Sequence, residues 1–555
     1  MLLSGADIVV KTLIEQGCKT AFGYPGGQII HVYDSLYKYQ NEINHVLVAH
    51  EQGAAHAADG YARATGETGV VIATSGPGAT NLVTGIATAY IDSVPMVVVT
   101  GNVMSSQIGT DSFQEIDITG ITLPITKHNY FVGDVEELAD TIREAFMIAS
   151  SGRPGPVLID VPKDIQMAMC EYEPAEPIIS GGRICAKDIR INPAAECINR
   201  AKRPYIYFGG GMITYGAQEA MCQLADLIDA PMGCSMMGIS AVPTNHPRFL
   251  GMHGMHGHYA STVAMNNADC IIALGVRFND RVTGDRGKFA ETSKIVHIDI
   301  EGAELGKNTN DAHMLRGDIK MTLEKLLPLI SKVERPEWMA QVASYREEEK
   351  KLADRREGMT PYNCLSLLNK YLKDTTPVAT DVGQHQVWAA QTLEFKQSRK
   401  FISSGGLGTM GFGMGAAIGA AMAVGERAVL VTGDGSFGMN LNEMATAVTY
   451  GVPMVILLMN NGVHGMVRQM QTLFFDKHYS NTVLERQTDY VKLVQAFGAD
   501  GAVATTLDEL NEALDKGFAC DGPFLIDCRI DKDEFVLPTL PPGGSMEDLI
   551  VKVGD

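Results

Sequence analysis

The chain has 555 residues, 45% hydrophobic and 20% charged, with a formal net charge of −20. That length exceeds what one hydrophobic core organises, so two to four domains are expected, and the composition excludes disordered and fibrous classes. The acidic balance argues against nucleic acid or an anionic membrane as the main partner. The ten cysteines are scattered without a CxxC pair, which excludes a disulfide framework or zinc site and suits a reducing cytoplasm.

The opening MLLSGADIVVKTLIEQG reads as an amphipathic helix, without the flanks of a signal or transit segment. Nowhere does an apolar run approach the length of a membrane span. Short apolar runs rich in β-branched residues then recur between helical patterns: 70–74, 94–101, 156–162, 204–210, 270–275, 295–300, 429–435, 452–461 and 524–528. Such runs are the mark of parallel strands buried on both faces. Their alternation with helices predicts an α/β fold of doubly wound parallel-sheet domains. Two stretches read as linkers, roughly 166–190 and 335–360, the second a charged run of the kind a solvated helix face carries. Three domains are therefore expected, at 1–165, 190–332 and 360–555.

The strongest chemical signal is VLVTGDGSFGMNLNEMATAVTYGVPMVILLMNN, residues 429–461. An apolar strand ends in Gly433, Asp434, Gly435 and Ser436. A helix and a second strand follow, and the latter ends in Asn460-Asn461, 461 − 434 = 27 residues past the aspartate. A carboxylate and an amide oxygen at the ends of neighbouring strands can share one hard cation, and glycines let backbone N–H groups approach phosphate oxygens. Residues 406–411 also match GxGxxG, but RKFISS before them is short and polar for a buried strand, so a dinucleotide site is not expected there.

The GDG…NN spacing resembles the diphosphate motif of thiamine-diphosphate enzymes. The resemblance implies that Asp434, Asn461 and the carbonyl of Val463 hold Mg²⁺. It places Gly383, Gln384 and His385 (in TDVGQHQ), Gly408 and Met410 (in SSGGLGTMGFG), and Gly465 and Met466 beside the coenzyme. Met410 would be the apolar wedge that keeps thiamine bent. Glu51, in VAHEQGAAHAADGYARATG, matches the glutamate that bonds the aminopyrimidine and thereby promotes loss of the thiazolium proton. Because Glu51 and Asp434 belong to different domains, the resemblance implies a site shared across a homodimer, with a homotetramer also open.

Further stretches are similar to acetohydroxyacid (acetolactate) synthase catalytic subunits: GYPGG (23–27), IGTDSFQEIDITGIT (108–122), SGRPGPVLIDVPKDIQ (151–166), FGGG (208–211), GMHG (254–257) and GVRFNDRVTG (275–284). This implies bound FAD, in a structural role, against Arg153, Gly209, Gly210, Gly211, Met237, Gly254, Met255, His256, Gly275, Arg277 and Asp299. It implies decarboxylative carboligation of pyruvate with a second 2-keto acid, with Gly27 near the reacting centre and Phe113 and Gln114 lining the pocket. A small regulatory subunit is a further possible partner. The chain departs from the family at Gln28, His31, Ser105-Ser106, Asn279 (Asp in the family), Gly415 (Pro), His464 (Leu) and Met470 (Trp). Gln28, His464, Met466 and Met470 are thus expected to shape substrate choice. A 2-keto acid decarboxylase, an enzyme cleaving a diketone C–C bond, and a non-catalytic homologue stay open as alternatives.

Overall fold

The computed structural model describes residues 1–177, 185–353, 356–541 and 543–553. The first expected linker lies partly outside these residues. Three six-stranded parallel sheets organise the chain, and the fold class is as expected. The N-terminal sheet takes strands 44–47, 20–24, 69–73, 96–102, 156–162 and 128–131, in that spatial order. The central sheet runs 249–252, 232–234, 204–208, 270–274, 294–299, 311–316, and the C-terminal sheet 401–402, 378–380, 428–433, 454–460, 523–529, 500–504. A short antiparallel pair, Leu2–Ser4 with Met169–Glu171, ties the start of the chain to the end of its first layer.

Numbered along the chain, the strands of the first and third sheets share the order 2-1-3-4-6-5, whereas the central sheet has 3-2-1-4-5-6. In both orders the chain changes direction across the sheet beside its first strand, where strand ends splay and leave a crevice. The inner strands 69–73, 96–102, 156–162 and 454–460 are buried at every residue, so their apolar runs are continuous instead of alternating. The charged stretch after residue 335 forms the helix Pro336–Leu352, where Trp338 and Val342 are the buried residues. Trp338 Nε1 donates to the carbonyl of Pro204 at 3.0 Å.

The first and third layers meet through two helices built of small residues, Glu51–Thr65 and Phe412–Val424. A Cβ on Gly60 would lie 2.2 Å from the Ala416 carbonyl oxygen, and one on Gly419 1.8 Å from that of Ala57. The backbones touch there, and only glycine permits it. Among the described residues no helix is long and apolar enough to cross a membrane.

Candidate active site

Strands 378–380 and 428–433 are neighbours at the reversal point of the C-terminal sheet. Each runs into a helix, Gln384–Thr392 and Asp434–Asn440, and the adjacent strand 454–460 leads shortly to a third, Gly465–Phe474. The first turns of all three line one cavity of about 80 Å³. Three helix first turns, each at the positive end of its macrodipole, thus border one space suited to phosphate oxygens.

Of the residues expected beside a diphosphate, the cavity wall brings together Gly383, Gln384, His385, Met410, Gly433, Asp434, Gly435, Ser436, Asn461, Val463, His464, Gly465 and Met466. Gly408 is exposed just outside, at φ +70°, and Met470 lies one helical turn beyond Met466, half-buried and off the wall. Val382, Trp388, Met459 and Val467 complete the lining. Trp388 is one turn beyond Gln384 on the same helix, and that i, i+4 spacing was the signal that could have found it.

Burial pushes the Asp434 carboxyl up to about 6, against hydrogen bonds from its own N–H and those of Gly435 and Gly462. Asn460 points the other way and donates to Asp527 at 2.9 Å, so of the two asparagines only Asn461 reaches the cavity. Its Oδ1 accepts from Val463 N at 3.2 Å, and its amide donates to Gln384 Oε1 at 3.4 Å. One carboxylate, one amide oxygen and one backbone carbonyl make an all-oxygen set fit for a hard cation. His385 is buried and held neutral, its pKa lowered to about 3, and its Nε2 has no partner. A neutral imidazole that donates one N–H to the Asp381 backbone keeps Nε2 as an acceptor, fit for a donor rather than for a phosphate oxygen.

The glycines here answer to side chains closing on the backbone. A Cβ on Gly433 would meet His385 Nδ1 at 2.9 Å, one on Gly435 His464 Nδ1 at 3.0 Å, and one on Gly465 Gln384 Oε1 at 1.9 Å. Gln384 Nε2 donates to Gln469 Oε1 and to the Glu534 carbonyl, locking two of the helices together. Ser436 Oγ donates to the Val382 carbonyl at 2.8 Å.

The N-terminal set forms a separate surface. Glu51 opens its helix, is buried, and accepts from Asn81 Nδ2 at 2.9 Å. Gly27 is exposed, with its carbonyl accepting from Lys163 Nζ. Gln28 is held through its backbone by Thr74 Oγ1 and Gln166 Nε2. Phe113 is 83% exposed, and Gln114, at φ 65°, packs its backbone against Gly76. These partners all belong to the N-terminal layer, while the cavity wall around Asp434 is drawn from residues 382–467. A single chain therefore does not bring Glu51 into that wall.

The central sheet offers a third site at its own reversal point, between strands 204–208 and 270–274. Gly209–Gly211 and Gly275 end those strands, and a Cβ on Gly209 would lie 2.3 Å from the Gly275 carbonyl oxygen. Arg153 and Arg277 sit side by side there, both donating to the Ile91 carbonyl, at 3.4 and 2.5 Å. Burial and the Arg153 charge lower the pKa of Arg277. Two adjacent half-buried arginines at a dinucleotide-type reversal point, Arg153 also paired with Glu304 at 3.1 Å, fit a pyrophosphate. Asp299 ends its strand with its carboxyl pushed up to about 6 by burial. Met237 packs between Gly210 and Gly405. Gly254, at φ +119°, and Met255 lie on the Arg281 carbonyl, and His256 accepts from Gln391 Nε2 through its carbonyl. Asn279 stands at the N-cap of the short helix after Arg277 without a side-chain capping bond, and its buried Oδ1 has no partner.

A paired-domain α/β scaffold with a phosphate-and-cation cavity at one reversal point defines the class of the thiamine pyrophosphate enzymes, and three family models agree. The N-terminal TPP binding domain of that class matches residues 3–121, its central domain 191–326 and its C-terminal TPP binding domain 381–528. The chain is 44% identical to the acetolactate synthase isozyme 2 large subunit of Escherichia coli over 99% of its length and 100% of the relative's. It is 42% identical to a probable acetolactate synthase large subunit of Methanocaldococcus jannaschii, over 99% and 95% of the two chains. With the acetolactate synthase large subunit of Haemophilus influenzae it shares 40% identity, over 99% and 98%. The chain belongs to the acetolactate synthase large-subunit family of thiamine pyrophosphate enzymes.

Proposed function

We infer that this protein is the catalytic subunit of an acetolactate synthase, joining pyruvate to a second 2-keto acid with loss of CO₂ to form an acetohydroxyacid. The observation that carries the reading is the cavity where three helix N-termini meet Asp434 and Asn461, in a chain similar end to end to acetolactate synthase large subunits. Thiamine diphosphate supplies an electron sink for the pair left as CO₂ departs. The first turns of the three helices bind the diphosphate oxygens, with His385 on the wall beside them. Asp434, Asn461 and the Val463 carbonyl hold Mg²⁺, which cancels phosphate charge. Met410 stands on the cavity wall as an apolar support for the coenzyme. Glu51, oriented by Asn81, holds a proton at the aminopyrimidine nitrogen.

Because Glu51 and the exposed Phe113 lie off the Asp434 wall, the working unit is a homodimer or a homotetramer in which one chain's N-terminal edge closes another's cavity. Phe113, Gln114 and Gly27 then border the substrate. His464 and Met466 face it from the wall, with Met470 and Gln28 behind them. Arg153, Arg277 and the glycines at the central reversal point hold FAD in a structural role, within domains spanning about 1–165, 190–332 and 360–555. The relatives' designation as large subunits supports a small regulatory partner. Ten free cysteines suit a cytoplasmic site of action.

The test is mass-spectrometric identification of products from pyruvate with thiamine diphosphate, Mg²⁺ and FAD. Acetolactate is the expected product. Acetaldehyde alone would replace the reading with a decarboxylase, and no turnover with a non-catalytic homologue.

A further inference from the structure

The loop 403–411, which carries Met410 into the coenzyme cavity, starts from a strand of only two residues at the edge of its sheet. So short a strand cannot hold a glycine-rich loop of this length by itself. Much of its anchoring comes instead from the N-terminal layer, and from one helix there, Val83–Asp92.

Asp92 is the last residue of that helix, where the macrodipole disfavours a carboxylate, and its side chain is fully buried. Helix stability therefore does not account for the residue, and its partners lie elsewhere. Oδ1 accepts from Gly406 N at 2.8 Å and Oδ2 from Gly405 N at 3.1 Å, so the carboxylate spans two consecutive loop amides. Oδ2 also meets Arg63 Nη2 at 3.0 Å, and Arg63 Nη1 donates to the Ser403 carbonyl at 3.0 Å. One turn earlier on the same face, Thr88 Oγ1 shares a buried 2.8 Å hydrogen bond with Thr409 Oγ1. A Cβ on Gly406 would lie 2.5 Å from Asp92 Oδ1, so the loop needs glycine at that point to reach the carboxylate. From the far side, Asp381 accepts from Gly411 N at 2.8 Å. Within the loop Gly406, Leu407 and Gly408 are exposed.

We propose that Asp92, with Thr88, is a positioning residue for coenzyme binding: it fixes loop 403–411 so that Met410 stands on the cavity wall. This rests on the reading of that cavity as the thiamine diphosphate site. The interaction is charge-assisted and the carboxylate itself is buried, and an asparagine would turn an NH₂ group toward either a loop amide or Arg63. A buried donor would then face a donor.

The test uses the full-length protein and measures thiamine diphosphate binding with Mg²⁺ by calorimetry, with fluorescence of the cavity residue Trp388 as a second readout. Asp92→Asn should raise the dissociation constant about tenfold. Its kcat at saturating coenzyme should fall by less than about threefold, because the reacting groups are untouched. Thr88→Val, which alters no charge, should raise the constant about threefold. Asp59→Asn is the control for a merely structural role: Asp59 bonds the same Arg63 at 2.5 Å without touching the loop, so binding should stay close to wild type. Equal weakening by Asp59→Asn and Asp92→Asn would overturn the assignment, as would a folded Asp92→Asn or Thr88→Val protein that binds coenzyme like wild type. Wild-type protein that binds no coenzyme would overturn the functional reading and this assignment with it. Tight wild-type binding beside an indifferent Asp92→Asn would overturn the assignment alone.

Discussion

Replacing Gly419 by Ala separates local preference from tertiary packing. Within a helix, alanine is favoured over glycine by about 1 kcal/mol, so propensity alone foresees stabilisation. The structure foresees the reverse. The new Cβ would lie 1.8 Å from the Ala57 carbonyl oxygen and 2.6 Å from its carbon. That is roughly 1.5 Å short of contact distance, against backbone that has no rotamer to move into. Overpacking costs about 1–3 kcal/mol in general and should sit at the upper end here, for a net loss of about 2 kcal/mol. The helix pushed away is Glu51–Thr65, whose first residue is the proposed activating carboxylate. Amide exchange over residues 51–65 should therefore quicken about 30-fold, with a fall in turnover, while exchange in the central sheet is unchanged. Gly133→Ala, exposed and with nothing within 4 Å, is the control and should be neutral. Slower exchange or a raised melting temperature in Gly419→Ala would refute the backbone-contact account of this interface.

Glu51→Gln should leave the fold intact and nearly abolish turnover, since an amide cannot support protonation at the pyrimidine; activity within a few-fold of wild type would remove Glu51 from the chemistry. Asp434→Ala should raise the Mg²⁺ and coenzyme concentrations needed for activity, and saturation at unchanged concentrations would take Asp434 out of the metal site. Met470→Trp should shift competition between pyruvate and 2-ketobutyrate toward 2-ketobutyrate, by an amount worth about 1–3 kcal/mol at most. A variant no more selective than the natural protein would show that residue 470 does not set acceptor choice. Burial opposes ionisation of Glu15, but its Arg143 hydrogen bonds, with those from Ala175 and Tyr172, prevail and hold the carboxyl at about 2. A depressed folded-state pKa stabilises above the ordinary value of 4.5 and loses that stabilisation as pH falls toward 2. Glu15→Gln should therefore cost about 2–3 kcal/mol at pH 7 and much less near pH 3 in denaturant melts, and an equal cost at both pH values would contradict the linkage.

Fold class and the segments that line the candidate cavity were legible because their signals are local. A strand buried on both faces must be a continuous apolar run, so 70–74, 156–162 and 452–461 showed themselves. The GDG…NN unit spans one strand–helix–strand, and its spacing is set by that geometry. Strands that escaped notice include edge ones of mixed burial, such as 128–131 and 311–316, and inner ones of three buried residues, 232–234 and 378–380, too brief to show as apolar runs. Residues 401–402 are short enough to look like loop, and pair only because strand 378–380 lies beside them.

What the sequence by itself determined, then, was which segments become strands and helices and which residue types stand at their ends. Tertiary structure alone decided that the helices opening at residues 384, 434 and 465 point their N-termini at one cavity. It alone brought Arg153 and Arg277 onto one carbonyl and tied Asp92 to a loop more than 300 residues away. Segment identity follows from short-range periodicity and backbone sterics. Convergence depends on strand order and crossover handedness, which the chain settles only when all its apolar faces are buried together.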